Sequence, residues 1–260
     1  MSVLRIADVE ISSARGALHG ISLTVEPGEI IGLVGDPRSG ADTLVAALLG
    51  ELGPDEVIGA GELELVTETA PFSLQRRTAR GMRALREEIG ALDPTRQPKT
   101  VAVGRDPGHA ALPGERAWVF GLARRAAESG CGVLIATPDL HAAIQGCTRI
   151  AVLYAGRIVE LAEAAAIAEA PEHPATAELL ATAITIGGPR DAGIAASPRP
   201  LPERAARGCA YHRRCAYARE LCRGGTPALL DVSGDHLSAC VLAPWQPGRL
   251  TAPPRGRRGA

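Results

Sequence analysis

The sequence predicts an α/β fold with a mainly parallel sheet covered on both faces, and three features carry that expectation. Short β-branched or apolar runs alternate with segments of helical periodicity along most of the chain, the pattern of strands joined by crossover helices. Gly35 and Gly40 stand at the G-x4-G spacing of a phosphate-binding loop, with an apolar run before them and a helix-period segment after. Hydrophobic residues make up 46% and aromatics only 3%, so a core is affordable but must be built from Ala, Val, Leu and Ile.

The totals exclude some classes of function. At 260 residues the chain holds one large domain, or a domain plus a small module. A formal charge of -1 gives no electrostatic case for a nucleic-acid partner. Lys99 is the sole lysine, so basic chemistry falls to arginine. No run nears the roughly 18 apolar residues of a membrane span. "MSVLRIADVEISS" lacks a basic start followed by an apolar block, so no signal peptide is expected. A cytoplasmic setting is the default, and the six cysteines then read as reduced thiols or metal ligands before disulfides.

In chain order, "VLRIADVEI" and "GISLTVEPGEIIGLVG" read as strands, with "EPGE" as a turn. Leu44, Val45, Leu48 and Leu49 follow the glycine loop at helical spacing. "GELELV" is a further strand. From Pro71 to Leu92 the chain is charged and expected to be helical or irregular. "KTVAVGRDP" and "GVLIATPDL" are short buried-type strands, each followed by a helix, "GERAWVFGLARRAAES" and "HAAIQGC". "RIAVLYAGRIVEL" is a strand pair around Ala155-Gly156, and two short helices follow, separated by Pro171 and Pro174. The expected division is a domain over 1–185, a Gly/Pro/Ala linker over 186–207, a cysteine module over 208–243 and a disordered tail over 244–260.

The loop Gly35-Asp36-Pro37-Arg38-Ser39-Gly40-Ala41-Asp42-Thr43 departs from its pattern where the chemistry lies. A phosphate loop works by converging backbone N–H groups on the anion, with a lysine for the terminal phosphates and a hydroxyl for Mg²⁺. Ala41 stands at the lysine position and Asp42 at the hydroxyl position. Asp42 puts a carboxylate in the first turn of the helix, where it competes for the same favourable dipole. Two like charges at ~4 Å repel by on the order of 4 kcal/mol at an effective dielectric of 20. Thr43 could serve a metal only in a shifted register, Arg38 offers a cation from the wrong position, and Lys99 would have to arrive from another strand.

Four stretches carry a family resemblance. "GISLTVEPGEIIGLVG", "IAVLYAGRIVE", "PEHPATAELLATA" and "GCAYHRRCAYARELC" resemble segments of the ATP-binding subunits of ABC importers of the oligopeptide/dipeptide/nickel class. The resemblance covers nearly the whole chain, with a gap in the middle. It implies a P-loop NTPase-like nucleotide-binding domain with a truncated helical subdomain, since the signature LSGGQ is absent and little chain separates "GALDPTR" from "KTVAVG". It also implies ATP and Mg²⁺ as the family's ligands, and the replacements here argue against both. Arg105 and Asp106 stand where the family has its metal-binding Asp and its water-polarising Glu. Pro138 stands for the switch histidine, Arg86 loosely for the Q-loop glutamine, and no aromatic precedes Gly20 to stack an adenine. The loop therefore reads as vestigial, kept for shape.

Cys209, Cys215, Cys222 and Cys240 are spaced C-x5-C-x6-C-x17-C. Four thiolates can hold Zn²⁺ or an Fe–S cluster, or stay as buried thiols; the absence of C-x2-C pairs weakens the zinc reading. By resemblance the group is a [4Fe-4S] cluster, held at these four positions in some family members. His212 and His236 could replace a thiolate, but read as solvated surface residues. Cys131 and Cys147 read as small core hydrophobes. Three functions stay open. The first is a catalytically degenerate subunit beside a second, active ABC ATPase subunit and membrane permease subunits, peripheral at the inner face of the cell membrane. The second is a stand-alone cytoplasmic iron-sulfur or metal-sensing regulator, and the third is an ATPase with rearranged ligands.

Overall fold

The computed structural model describes residues 2–14, 16–66, 71–73, 87–95, 98–106, 113–186 and 208–243. Its strands form two sheets. Strands β1 (Leu4–Ser12), β2 (Leu18–Val25), β4 (Val57–Val66) and β5 (Pro71–Ser73) form an antiparallel sheet in the order β2-β1-β4-β5. The alternating burial of β1 and β2 fits a sheet with one covered face.

The second sheet contains β3 (Ile30–Val34), β6 (Ile89–Ala91), β7 (Val101–Arg105), β8 (Gly132–Thr137), β9 (Arg149–Tyr154), β10 (Arg157–Glu163), β11 (Leu230–Asp231) and β12 (Leu237–Ser238). Its order is β11-β12-β10-β9-β3-β8-β7-β6. From β9 to β6 every pairing is parallel, whereas β10, β12 and β11 add antiparallel pairs at one edge. The central strands β3 and β8 are buried at every position, as strands covered on both faces must be.

Two expectations need correction here. The strands from "VLRIADVEI", "GISLTV" and "GELELV" do not join the parallel sheet; they make the separate antiparallel one. Within the 71–92 stretch, read as helical or irregular, Pro71–Ser73 and Ile89–Ala91 are strands. Ile89–Ala91 pairs in parallel with β7, so its short apolar run seats against a buried neighbour despite the charges around it. The cysteine segment adds strands to the second sheet: Ser238 and Leu237 pair with Glu160 and Leu161 of β10. The expected linker and tail lie outside the described residues, apart from Ile186.

Helix α1 (Ala41–Leu49) is buried on nearly all sides, so it sits inside the fold rather than on it. Leu44, Val45 and Leu48 share one core with β1, β2 and β4 on one side and Ile31 and Leu33 of β3 on the other. Each fully buried Leu or Ile there contributes about 1.5–3 kcal/mol relative to exposure. Helix α2 (Pro113–Glu128) covers Ile30, Val133 and Ile135 through Phe120, Ala123 and Ala126. Helices α3 (Leu140–Gly146), α4 (Ala164–Glu169) and α5 (Pro174–Ile186) follow β8 and β10. Leu140, Ile150, Val152, Ile167 and Tyr211 form the core that joins the cysteine segment to the sheet. The period-2 alternation of β3 thus divides its side chains between opposite faces.

Candidate functional site

Strands β3, β7 and β8 end at the same edge of the parallel sheet, where ligands of open α/β folds bind. The glycine loop, Asp106 and Thr137-Pro138-Asp139 leave from that edge. The sequence-predicted loop, metal and water positions are therefore brought together. Lys99 is not among them. It lies just before β7, at the other end of the sheet, with Nζ 3.2 Å from Glu87. Arg86 lies outside the described residues.

The loop is held by neighbours of the main chain. The Ser39 N–H donates to the Asp36 carbonyl at 2.8 Å, and the Gly156 N–H donates to the Ser39 carbonyl at 2.9 Å. Gly156 (φ 78) shares the β9–β10 turn with Ala155 (φ 47), and a Cβ at Gly156 would lie 2.2 Å from the Ala17 carbonyl. Only glycine allows that approach. Gly40 (φ 100) begins α1, and a Cβ there would lie 2.4 Å from Leu18 Cδ2. The β1–β2 connection thus packs directly onto the loop. Ser39 is buried, and its hydroxyl has no hydrogen-bond partner among the described residues.

Thr43 is fully buried, and its hydroxyl donates to the Gly16 carbonyl at 2.7 Å. It faces the β1–β2 connection and serves no shifted register. Arg38 and Pro37 are exposed and Asp36 is half-buried. Ala41 is buried and uncharged.

Asp42 and Arg105 meet in space. Arg105 Nε lies 3.6 Å from Asp42 Oδ1, and its second arm reaches Glu51 Oε2 at 3.0 Å. Where the resemblance implies a hydroxyl and a carboxylate converging on Mg²⁺, this chain has a carboxylate converging with a guanidinium. All three groups are more than a third exposed, so each pair contributes on the order of 0–1 kcal/mol.

Asp106 is committed to the fold. Its side chain is fully buried and takes Arg116 Nε at 3.3 Å on Oδ1. The Thr137 hydroxyl donates to Oδ2 at 2.6 Å. Arg116 Nη1 also reaches Asp139 Oδ2 at 2.8 Å, while Asp139 Oδ1 accepts the Ala142 N–H and caps α3. Pro138 sits between two residues of this network and offers no titratable atom. Sequence reading missed Arg116; it lies in the first turns of a helix, and nothing in its spacing ties it to Asp106.

Around the cysteines, the Cys209 N–H donates to the Cys222 carbonyl at 2.8 Å. Burial raises the Cys209 thiol to about 11, and Cys240, Cys222 and Cys215 each add to the rise. Cys215 is raised as well, first by burial and then by Cys240 and Cys222. Among the described residues no three Cys, His or carboxylate groups close into a ligand cage as the side chains stand. His212 Nδ1 lies 2.7 Å from the Cys209 carbonyl. Cys131 is buried and donates to the Pro98 carbonyl, and burial raises Cys147 to about 12; both pack in the core.

His236 corrects the solvated reading. It is buried, with Nε2 2.7 Å from Glu160 Oε1. Glu160, with no exposed side-chain surface, also accepts the N–H groups of Glu172 at 2.6 Å and His173 at 2.9 Å. That hydrogen bond raises the His236 pKa, against the opposing effect of burial. His173 is lowered to about 4 by burial, and its Nδ1 accepts the Ala175 N–H.

The two histidines have opposite signs in pH linkage. His236 adds stability that is present below its unfolded pKa and lost as pH rises through its higher folded value. For His173 the unfolded chain binds a proton that the folded chain refuses, so stability falls from about pH 6.5 toward 4. The loss is on the order of 3 kcal/mol. Unfolding midpoints of wild type and His173→Gln across that window are expected to show a shallower acid limb in the variant.

Residues 159–222 match the family model described as the oligopeptide/dipeptide transporter, C-terminal region. A peptide import ATP-binding protein of Brucella ovis is 34% identical over 126 residues, covering 46% of this chain and 37% of the relative. The oligopeptide transport ATP-binding protein OppD of Mycobacterium tuberculosis is 33% identical over 126 residues, covering 48% and 21%. The matches thus span well under two thirds of these relatives' lengths. Among solved structures, an ATP-binding cassette of an ABC transporter in its ADP conformation superposes with TM-score 0.53 at 13% identity, covering 72% of this chain and all of that one. CbiO1 of Clostridium perfringens, part of the cbiONQ ABC transporter complex, gives TM-score 0.50 at 17% identity, covering 73% and 96%. These structures share the fold alone. The chain is thus similar in sequence, over part of its length, to ATP-binding subunits of peptide-importing ABC transporters, and it shares the fold of ATP-binding cassettes.

Proposed function

We propose that this chain is a catalytically degenerate ATP-binding-cassette subunit of a peptide- or nickel-type importer. In this reading its own nucleotide site is replaced by internal contacts. It acts as the structural or regulatory partner of an active ATPase subunit and a membrane permease, from the cytoplasmic side. The observation that carries the reading is the Asp42–Arg105 pair, which puts a guanidinium opposite the position a metal would need. The commitment of Asp106 to Arg116 and Thr137 supports it.

The middle of the chain supports it too. Residues 92–100 join β6 directly to the parallel β7, where the resemblance places a helical subdomain and its signature loop. No helix is found among the described residues of that connection. Such a chain could not complete a partner's composite site. Among the described residues no helix is long and apolar enough to cross a membrane.

In the same reading Cys209, Cys215, Cys222 and Cys240 hold a [4Fe-4S] cluster. What supports the reading is the chemistry of the donor set: one small segment supplies four thiols. A bound cluster would draw off their protons and cross-link a segment with little core of its own. Chain purified anaerobically is expected to carry about four iron and four sulfide. One zinc in their place would assign the alternative metal, and neither would remove the cofactor from the reading.

The test of the function is affinity purification of the tagged chain from its native cells. Recovery of a second ATPase subunit with a permease is expected. Recovery of neither favours a stand-alone iron-sulfur or metal-sensing regulator, and Mg-ATP turnover by the isolated chain favours a rearranged ATPase.

A further inference from the structure

An open cleft of about 600 Å³ lies on the cysteine segment, lined by His212, Arg213, Ala218, Arg219, Glu220 and Arg223. We propose that this cleft is a binding site for a phosphate group. Its volume is in the range of small-ligand sites, and its charge is strongly one-sided. Glu220 is the only acidic lining residue and is already paired with Arg223 at 3.6 Å. Arg213 and Arg219 have no ion pair among the described residues, so the cleft keeps an excess of two cations.

The contrast with Arg214 is informative. Arg214 is committed to Glu178 at 2.7 Å and lies over the Tyr211 ring at 6.0 Å. Its neighbour Arg213 is exposed and lines the cleft. One arginine ties the segment down, and the other is left for a ligand.

The backbone beneath the cleft is pinned by a run of turns. The His212 N–H donates to the Cys209 carbonyl at 3.1 Å, Cys222 to Arg219 at 3.0 Å, and Arg223 to Glu220 at 2.9 Å. The arginines are therefore mounted on a fixed frame, which lowers the ordering cost of binding. Planar guanidinium forks match phosphate oxygens in pairs. The phosphate can be a free anion or the diester of a phospholipid headgroup. Leu221, 71% exposed within the same run, would lie against acyl chains in the second case.

The full-length chain is tested at low ionic strength in two arms: calorimetric titration with inorganic phosphate, and flotation with phosphatidylglycerol against phosphatidylcholine vesicles. Saturable binding is expected in at least one arm. Binding to phosphate alone assigns a free anion, and binding to phosphatidylglycerol vesicles assigns the headgroup. Arg213→Gln/Arg219→Gln is expected to weaken it by at least about tenfold. Arg124→Gln/Arg125→Gln makes the same change in net charge on exposed arginines of α2 and should leave binding within about twofold. Glu220→Gln should strengthen binding, which keeps the test sound should the double variant misfold. No binding in either arm, or equal losses in both double variants, would overturn the proposal.

Discussion

Glu160→Ala is expected to destabilise the chain by about 3–5 kcal/mol and to release the C-terminal segment from the sheet. Glu160 lies in β10 with no exposed side-chain surface, where it accepts hydrogen bonds from two backbone N–H groups and pairs with His236. Alanine would leave all three donors buried without that acceptor, and each such loss costs about 1–3 kcal/mol. His236 belongs to the segment whose β12 pairs with β10, so the loss falls on the joint between them. Glu160→Gln keeps an acceptor and should cost less than alanine. Urea unfolding gives the energy, and hydrogen exchange at Leu237 and Ser238 reports the release. A loss under about 1 kcal/mol would show that Tyr211 and its apolar neighbours hold the segment alone.

Asp106→Ala is expected to cost about 2–4 kcal/mol, because Thr137 loses a buried acceptor and Arg116 one of its two carboxylates. The informative companion is Asp106→Glu, which restores the residue type that the family resemblance implies. The Asp106 side chain is fully enclosed, so an added methylene should cost about 1–3 kcal/mol. Restoring the family residue is thus expected to destabilise and not to activate. Thermal unfolding of the two variants checks both statements; a neutral Asp106→Glu would mean that the slot still accommodates glutamate.

The parts of the fold that were legible in the sequence are those with strong local patterns. The apolar runs at Ile30–Val34, Val101–Arg105 and Gly132–Thr137 are strands of the parallel sheet. The Ala155-Gly156 turn joins two antiparallel strands as its residues implied. What local pattern cannot convey is which sheet a strand joins. The alternation in β1 and β2 marks one covered face, but it does not name the cover, which is α1 together with residues of the parallel sheet. Ile89–Ala91 is a strand only because β7 offers it an edge, a tertiary effect that overrides the charged surroundings.

The same division holds at the site. Spacing located the glycine loop, and Ala41, Asp42, Arg105 and Pro138 could each be read as a departure from the family resemblance. That Asp42 and Arg105 face each other was not legible, because the residues lie on different elements joined only by the fold. Arg116 and the Glu160–His236 pair were hidden for the same reason: an ion pair between distant segments leaves no periodic trace. The histidine prior failed at His236, whose buried partner lies 76 positions away.

In the function proposed above, internal contacts take the place of nucleotide and metal at the glycine loop. Calorimetric titration of Mg-ATP into the purified chain tests it most directly, with repair variants in parallel. The unaltered chain is expected to bind more weakly than about 1 mM. Ala41→Lys/Asp42→Ser should gain little, since Arg105 still faces the metal position. Adding Arg105→Asp removes that cation and should tighten binding by at least about tenfold. Binding by the unaltered chain at about 10 μM or tighter would contradict the account and make Arg38 and Arg105 the ligands to test.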